Sequence, residues 1–368
     1  MKKQELYKET LVRLQAEALA LLKKLIATPS FSREEDQTAT LIGDYLGSKG
    51  VAAERVQNNI WAKNKYYQPG RPSILLNSHH DTVKPNKAYT LDPFLPLEKD
   101  GRLYGLGSND AGGCLVSLIA TFLYFYERTD LPCNLVLAAS AEEEISGHEG
   151  IERLLPSIGP IDWGIVGEPT KMQLAVAEKG LLVLDGVAYG KAGHAAREEG
   201  ENALYKAMDA IGWFRKYQFP KVSDLLGPVK TTVTVIQTDN KAHNVVPSQC
   251  SFVVDTRVNE LYTFEEILEI IRGHMPAGVT IEPRSLRMRS SSISREHPVV
   301  QSGIRLGRTC YGSPTTSDKA LMPFPTLKTG PGDSARSHTA DEYLYLHELE
   351  EGIKGYIDLL EPLLGMKG

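Results

Sequence analysis

The 368-residue chain has no long apolar run. Its most apolar stretch, Ala111 to Tyr126, is bounded by Asp110 and Glu127 and contains Gly112 and Gly113. It falls short of the ~20 residues a membrane span requires, so it reads as a buried helix. Charge of one sign is also lacking. The 41 basic and 46 acidic residues leave a net charge of −5, with no basic footprint for nucleic acid or anionic lipid. Cysteine is scarce: Cys114, Cys133, Cys250 and Cys310 form no CxxC pair and no zinc-ribbon spacing. Met1-Lys2-Lys3-Gln4-Glu5 runs into an amphipathic segment rather than a secretory apolar core. The expectation is a cytoplasmic protein with reduced thiols. Three catalytic signatures are missing too. There is no Gly-x-Ser-x-Gly for a serine hydrolase and no Gly-Lys-Ser/Thr phosphate loop. Gly105-Leu106-Gly107 begins a dinucleotide fingerprint but runs into Asp110, which would repel a pyrophosphate.

What is present is a globular chain with 42% hydrophobic residues, long enough for two domains. Apolar residues at helical spacing predict helices over 6–27 and 33–48. Strands follow at 74–77, 134–139 and 163–166, with the buried helix at 111–127 between them. Strands alternating with helices imply an α/β layer with a largely parallel sheet. The pattern then changes to strand 181–189, helix 202–217, strands 229–237 and 251–258, helix 263–274 and strand 279–286. Thr263, with Glu266 three residues on, marks a helix start. That order is the split β-α-β-β-α-β unit, ferredoxin-like. A polar run, 287–296, returns the chain to α/β character, with helix 298–311, strand 326–329 and helix 346–364. The expected organisation is a discontinuous first domain, 1–179 and 291–368, and an inserted second one, 180–290.

The chemistry gathers where the first domain's strands end. Strand 74–77 leads to Ser78-His79-His80-Asp81, strand 134–139 to Glu142-Glu143-Glu144, and strand 163–166 to Gly167-Glu168-Pro169-Thr170. Strand 326–329 leads to Gly330-Pro331-Gly332-Asp333 and then His338. Asp110 opens the apolar helix. Ligand crevices in open α/β sheets lie beyond the carboxyl ends of the strands. Any one of these residues has a plainer reading; Asp110 alone reads as a helix N-cap. Together, clustered carboxylates would repel unless a cation neutralised them, and a metal site accounts for the whole set. Two histidines and three carboxylates suit zinc, with cobalt or manganese as substitutes. Five side chains serve two ions if one carboxylate bridges.

With these motifs in this order, the chain resembles, over nearly its whole length, the acetylornithine deacetylase, succinyl-diaminopimelate desuccinylase and carboxypeptidase G group of co-catalytic zinc hydrolases. The resemblance implies a zinc-exopeptidase-like catalytic domain and an inserted lid and dimerisation domain. It makes His79 a ligand and Asp81 the carboxylate that orients it. Asp110 becomes the bridging ligand, although Asp110-Ala111-Gly112-Gly113 departs from the family's usual Asp-Met-Lys-Gly-Gly. Anchored on Ser140-Ala141-Glu142-Glu143-Glu144, the resemblance makes Glu143 the general base and Glu144 a ligand. Glu168 then joins His79 on one ion, and His338 joins Glu144 on the other.

In the inserted domain, Gly193-His194-Ala195 implies a histidine that crosses a homodimer interface to hold the oxyanion in the partner's site. Without the resemblance, His194 reads as a surface-loop residue. Asn244 and Arg257 are implied substrate contacts, Arg257 for an α-carboxylate, or else strand-edge residues. The implied activity is removal of the N-acyl group from a small amino acid, N-acetylornithine first, with N-acetylcitrulline, N-succinyl amino acids or dipeptides as alternatives. Lys191, Arg197 and Lys241 are candidate cations for a succinyl carboxylate. The non-enzymatic alternative is an inactive metal-binding scaffold, against which Glu143 speaks, because it has no ligand duty in this assignment.

Overall fold

In the computed structural model, residues 2–365 are described, with side chains from Glu5 onward. The chain folds into two compact units: residues 1–176, 292–311 and 317–368 form the first, and residues 177–291 with 312–316 the second. The return to the first unit is thus made twice, because 312–316 go back to the second.

The first unit is built on a mixed sheet. Strands Asn134–Ser140, Ser73–His79, Trp163–Val166 and Thr326–Lys328 lie side by side and parallel. Asn59–Lys63 flanks Asn134–Ser140 antiparallel, with Ala53–Val56 beyond it. Leu174–Glu178 runs antiparallel to Thr326–Lys328 at the other side. The alternation of the pleat decides which residues face which core. Ile74, Leu76, Leu135, Leu137, Ile165 and Leu327 pack beneath helices Lys2–Ile26, Gly113–Tyr126 and Leu346–Leu360. Leu75, Val136, Ala138 and Val166 face the opposite way, against Ile151, Leu154 and Ile158 of helix Ile151–Ile158.

Helix Gly113–Tyr126 is the expected buried helix, apolar nearly all round and enclosed by protein. Among the described residues no helix is long and apolar enough to cross a membrane. It starts two residues later than expected, because Asp110 and Ala111 have non-helical backbone angles. Helix Pro298–Arg305 is shorter than expected. Gly307, at φ 79°, turns the chain, and Cys310–Ser313 is a strand. The final helix ends at Leu360 rather than 364. Several short strands and helix Ile151–Ile158 add to the expected elements, being too short for periodicity to mark.

The second unit is a four-stranded antiparallel sheet in the order Lys230–Thr238, Gln249–Val258, Gly180–Tyr189, Val279–Pro283. Helices Ala203–Lys216 and Phe264–His274 cover one face, packing on Leu182, Leu184, Phe252 and Val254. This is the split ferredoxin-like arrangement expected from the element order. Thr263 accepts from the Glu266 N–H and Glu266 reaches back to the Thr263 N–H, the capping box read in the sequence. The four cysteines are free.

Candidate metal centre

The site forms at the carboxyl ends of the parallel strands of the first unit. His79 is the last residue of its strand and is buried. Its Nδ1 donates to the backbone carbonyl of Asp81 at 3.0 Å, with the Asp81 carboxylate 3.4 Å away. That contact leaves the Nε2 lone pair free in the neutral ring. Nε2 faces three carboxylates: Asp110 at 3.3 Å, Glu168 at 3.8 Å and Glu143 at 3.9 Å.

Besides lying beside the His79 ring, the Asp81 carboxylate has further partners. It accepts from Ser32 Oγ at 2.7 Å and from the backbone N–H groups of Glu143 and Glu144 at 3.1 Å each. The side chain thus holds the glutamate turn, while the main-chain carbonyl makes the closer contact with the histidine.

That turn follows strand Asn134–Ser140. Glu142 adopts a left-handed φ of 54°, and its N–H is held by the buried Glu35 carboxylate at 3.2 Å. Glu143 and Glu144 are thereby pointed into the site. Glu144 meets His338 Nε2 at 3.0 Å, and His338 lies 3.6 Å from the second oxygen of Asp110. Asp110 therefore stands between two histidines, His79 on Oδ1 and His338 on Oδ2. It does not cap the helix behind it, which has no side-chain cap.

Ligand atoms of His79, Asp110 and Glu144 lie within 4.8 Å of one another, as do those of His79, Glu143 and Glu168. The sequence expectation kept Glu143 out of the ligand set; the structure puts it at the same range from His79 as Glu168.

The electrostatics describe a cation-demanding pocket. Burial, then the neighbouring carboxylates, pushes Glu143 well above its ordinary range. Burial likewise raises Glu144, and raises Glu168 to about 8 against the opposing charge of Lys328. Burial opposes charge on His79, but Glu143, Asp110 and Asp81 outweigh it and hold its pKa well up. The hydrogen bond that His338 donates to Glu144, against burial, raises His338 to about 9. Carboxylates crowded together in this way call for positive charge, and mixed imidazole and carboxylate donors suit a divalent cation.

Residues overlooked in the sequence complete the surroundings. Buried Asp318 accepts from Asn77 Nδ2 at 2.9 Å and Ser140 Oγ at 2.6 Å, and burial lifts it to about 6. Glu35, Ser32 and Glu342 hold backbone or carboxylate groups of the site. Each lies in a polar local context that reads as solvated loop or cap, so the sequence carried no signal for them.

The second unit carries the remaining candidates. His194 and Asn244 are brought together: Gly193–His194 pairs with Val245–Val246, and the Ala195 N–H donates to the Asn244 carbonyl at 2.9 Å. Both side chains are exposed. The Ala196 N–H donates to His194 Nδ1 at 3.1 Å, so in the neutral ring the proton sits on Nε2. Arg257 has its fork engaged by Asp255 at 2.8 and 3.0 Å, leaving Nη1 beside Thr316 Oγ1 at 3.4 Å.

Comparison with known proteins agrees with this architecture. A succinyl-diaminopimelate desuccinylase 2 from Ruegeria sp. (strain TM1040) is 24% identical over 386 residues, covering 95% of each chain. A succinyl-diaminopimelate desuccinylase from Xanthomonas campestris pv. campestris (strain B100) is 27% identical over 280 residues, 70% of this chain and 74% of that one. Among solved structures, a tripeptidase from Staphylococcus aureus subsp. aureus Mu50 superposes with a TM-score of 0.76 at 18% identity, covering 95% and 98% of the two chains. A dinuclear metal binding peptidase from Bacillus subtilis gives 0.72 at 15% identity, covering 96% and 99%. Residues 75–361 match the family model itself, and the chain belongs to peptidase family M20/M25/M40, as a metal-dependent hydrolase of amide bonds.

Proposed function

We propose that the chain removes the N-acyl group from an amino acid, using two zinc ions, with cobalt or manganese as substitutes. The observation that carries this reading is Asp110 between His79 and His338, with a glutamate beside each histidine. His79, Asp110 and Glu168 would hold one ion, and His338, Asp110 and Glu144 the other. Bound there, the ions supply a polarised acyl carbonyl and an acidified water.

Glu143 is left as the proton carrier. Its half-buried carboxylate takes the proton of the attacking water and returns it to the departing amine. His194 of the partner subunit, with its proton on Nε2, is the proposed donor to the oxyanion. A homodimer through the second unit is part of the proposal. Its support is the edge strand Lys230–Thr238, which leaves Val235 and Ile236 exposed. Asn244 and the Nη1 of Arg257, held only by the long contact to Thr316, are the proposed contacts for the substrate carboxylate. A cytoplasmic setting fits four unpaired cysteines.

The sequence expectation favoured N-acetylornithine. The desuccinylases among its relatives move the preference toward a succinyl group, for which Lys191, Arg197 and Lys241 offer exposed cations. The test is free-amine release by zinc-loaded protein from N-succinyl-diaminopimelate, N-succinylornithine, N-acetylornithine, N-acetylcitrulline and a dipeptide. A succinyl preference supports the desuccinylase reading, and an acetylornithine preference restores the sequence expectation. Cleavage of the dipeptide alone would replace deacylation by peptidase activity.

A further inference from the structure

Glu342 lies in the segment that carries His338, yet it faces a different part of the site. Its backbone carbonyl accepts from the Gly105 N–H at 3.0 Å. Its carboxylate accepts three more: Gly107 N at 3.1 Å on Oε2, and Asn109 N at 2.8 Å and Asp110 N at 2.9 Å on Oε1. One residue therefore receives four N–H groups of the loop 105–110. The residue is 2% exposed.

The loop needs such a partner. Asp110 has φ −119° and ψ 98°, so its N–H and those before it do not enter the helix that follows. Buried N–H groups without an acceptor are destabilising. The two carboxyl oxygens of Glu342 satisfy three at once. Glu342 also sets a buried carboxyl group beside Asp110, joined to it through the Asp110 N–H. Asn109 ties the same loop to the His338 side by bonding Asp333 and Ser337.

We propose that Glu342 is a positioning residue of the metal centre, fixing the Asp110 backbone so that its two oxygens face His79 and His338. The inference rests on the reading of Asp110 as the shared ligand. Glu342 is in neither group of residues that could hold an ion. Replacement by glutamine keeps the shape but turns an NH2 toward one of the three N–H donors, so part of the loop loses its acceptor.

The test is zinc binding by the full chain, measured by competition with a chromophoric chelator, for wild type, Glu342→Gln, Glu342→Ala and Asp110→Asn. Thermal melting of the metal-free proteins runs beside it. Glu342→Gln is expected to melt near wild type and weaken zinc binding about 10–100-fold. Glu342→Ala should weaken it further, and saturating zinc should restore turnover in Glu342→Gln with KM for substrate unchanged. Wild-type zinc affinity in Glu342→Gln overturns the proposal, as does a loss of melting temperature without a loss of affinity. Should Asp110→Asn bind two zinc ions as tightly as wild type, the shared-ligand reading itself falls, and this inference with it. Weak binding by Asp110→Asn beside unaffected Glu342→Gln sinks the inference alone.

Discussion

The Asp81 carboxylate accepts the Glu143 backbone N–H at 3.1 Å, while the Asp81 backbone carbonyl accepts from the His79 ring at 3.0 Å. One residue thus sets the orientation of a metal-ligand candidate and of the proposed proton carrier. It does so through two different groups, which assigns different chemistry to its side chain and its main chain.

Replacing Asp81 by asparagine should leave the His79 contact to the carbonyl in place and disturb the glutamate turn. One amide oxygen can still accept, but the NH2 meets the N–H of Glu143 or Glu144. A fall in kcat of about 10–100-fold is expected, with a smaller change in metal content. Steady-state kinetics with metal analysis of the same sample checks it. Loss of both ions with no kinetic defect in the reloaded protein would contradict the division of labour.

Glu143→Gln keeps volume and removes the base. Both metal ions should stay bound, and kcat should drop by about 10²–10⁴-fold with little change in KM. Metal stoichiometry by plasma emission, beside turnover, decides it. A variant that loses an ion would move Glu143 into the ligand set, where its 3.9 Å approach to His79 would also allow it.

Removing metal should make stability fall as pH rises. Glu168 and Glu342 are each raised to about 8, chiefly by burial, and His338 is raised to about 9 by Glu144. Their unfolded values are about 4.3 for glutamate and 6.5 for histidine. A folded pKa above the unfolded one means the native state binds more protons in between. The stability each group contributes is complete below its unfolded pKa and is lost as pH passes the folded one. Melting of chelator-treated protein should therefore drop between about pH 5 and 9, and saturating zinc should flatten that decline. Proton release on zinc binding, read by calorimetry in buffers of different ionisation enthalpy, is the companion measurement. A metal-free melting temperature that climbed through this window would refute the electrostatic account.

Gly330 admits no side chain. A Cβ there would stand 2.6 Å from Tyr356 Oη, and 2.7 Å from both Cys114 Sγ and the Glu168 carbonyl oxygen. Gly330→Ala should cost about 1–3 kcal/mol of stability by overpacking. Because the crowded backbone belongs to Glu168, zinc affinity should fall as well. Denaturant unfolding and a zinc titration of the purified variant test both halves. Unchanged zinc affinity would separate Gly330 packing from the site.

The residue types and their order were legible because chemistry and chain geometry coincide at strand ends. A buried parallel strand is a short apolar run, and the polar residue that ends it is exposed to the crevice. His79, Glu143, Glu144 and Glu168 could be picked out on that ground, and the split β-α-β-β-α-β order followed from hydrophobic periodicity. Short edge strands such as Ala53–Val56 and Tyr343–Tyr345 were not legible, since three or four residues hold too little period to read. Asp110 looked like a cap because its local sequence is that of a helix start. Its place among the other motifs, through the resemblance they carry, made it the expected bridging ligand, and the fold gives its backbone a non-helical turn with His79 and His338 on either side.

The sequence by itself determined which side chains could bind a metal and on which strand ends they stand. Tertiary structure alone decided what holds them there. The grip of Asp81 on the Glu143 turn, the four N–H groups gathered by Glu342, and the burial of Asp318 join segments up to hundreds of residues apart. Such bonds form because folding buries polar groups that must then find partners. Which partner each finds is set by packing, which no local pattern encodes.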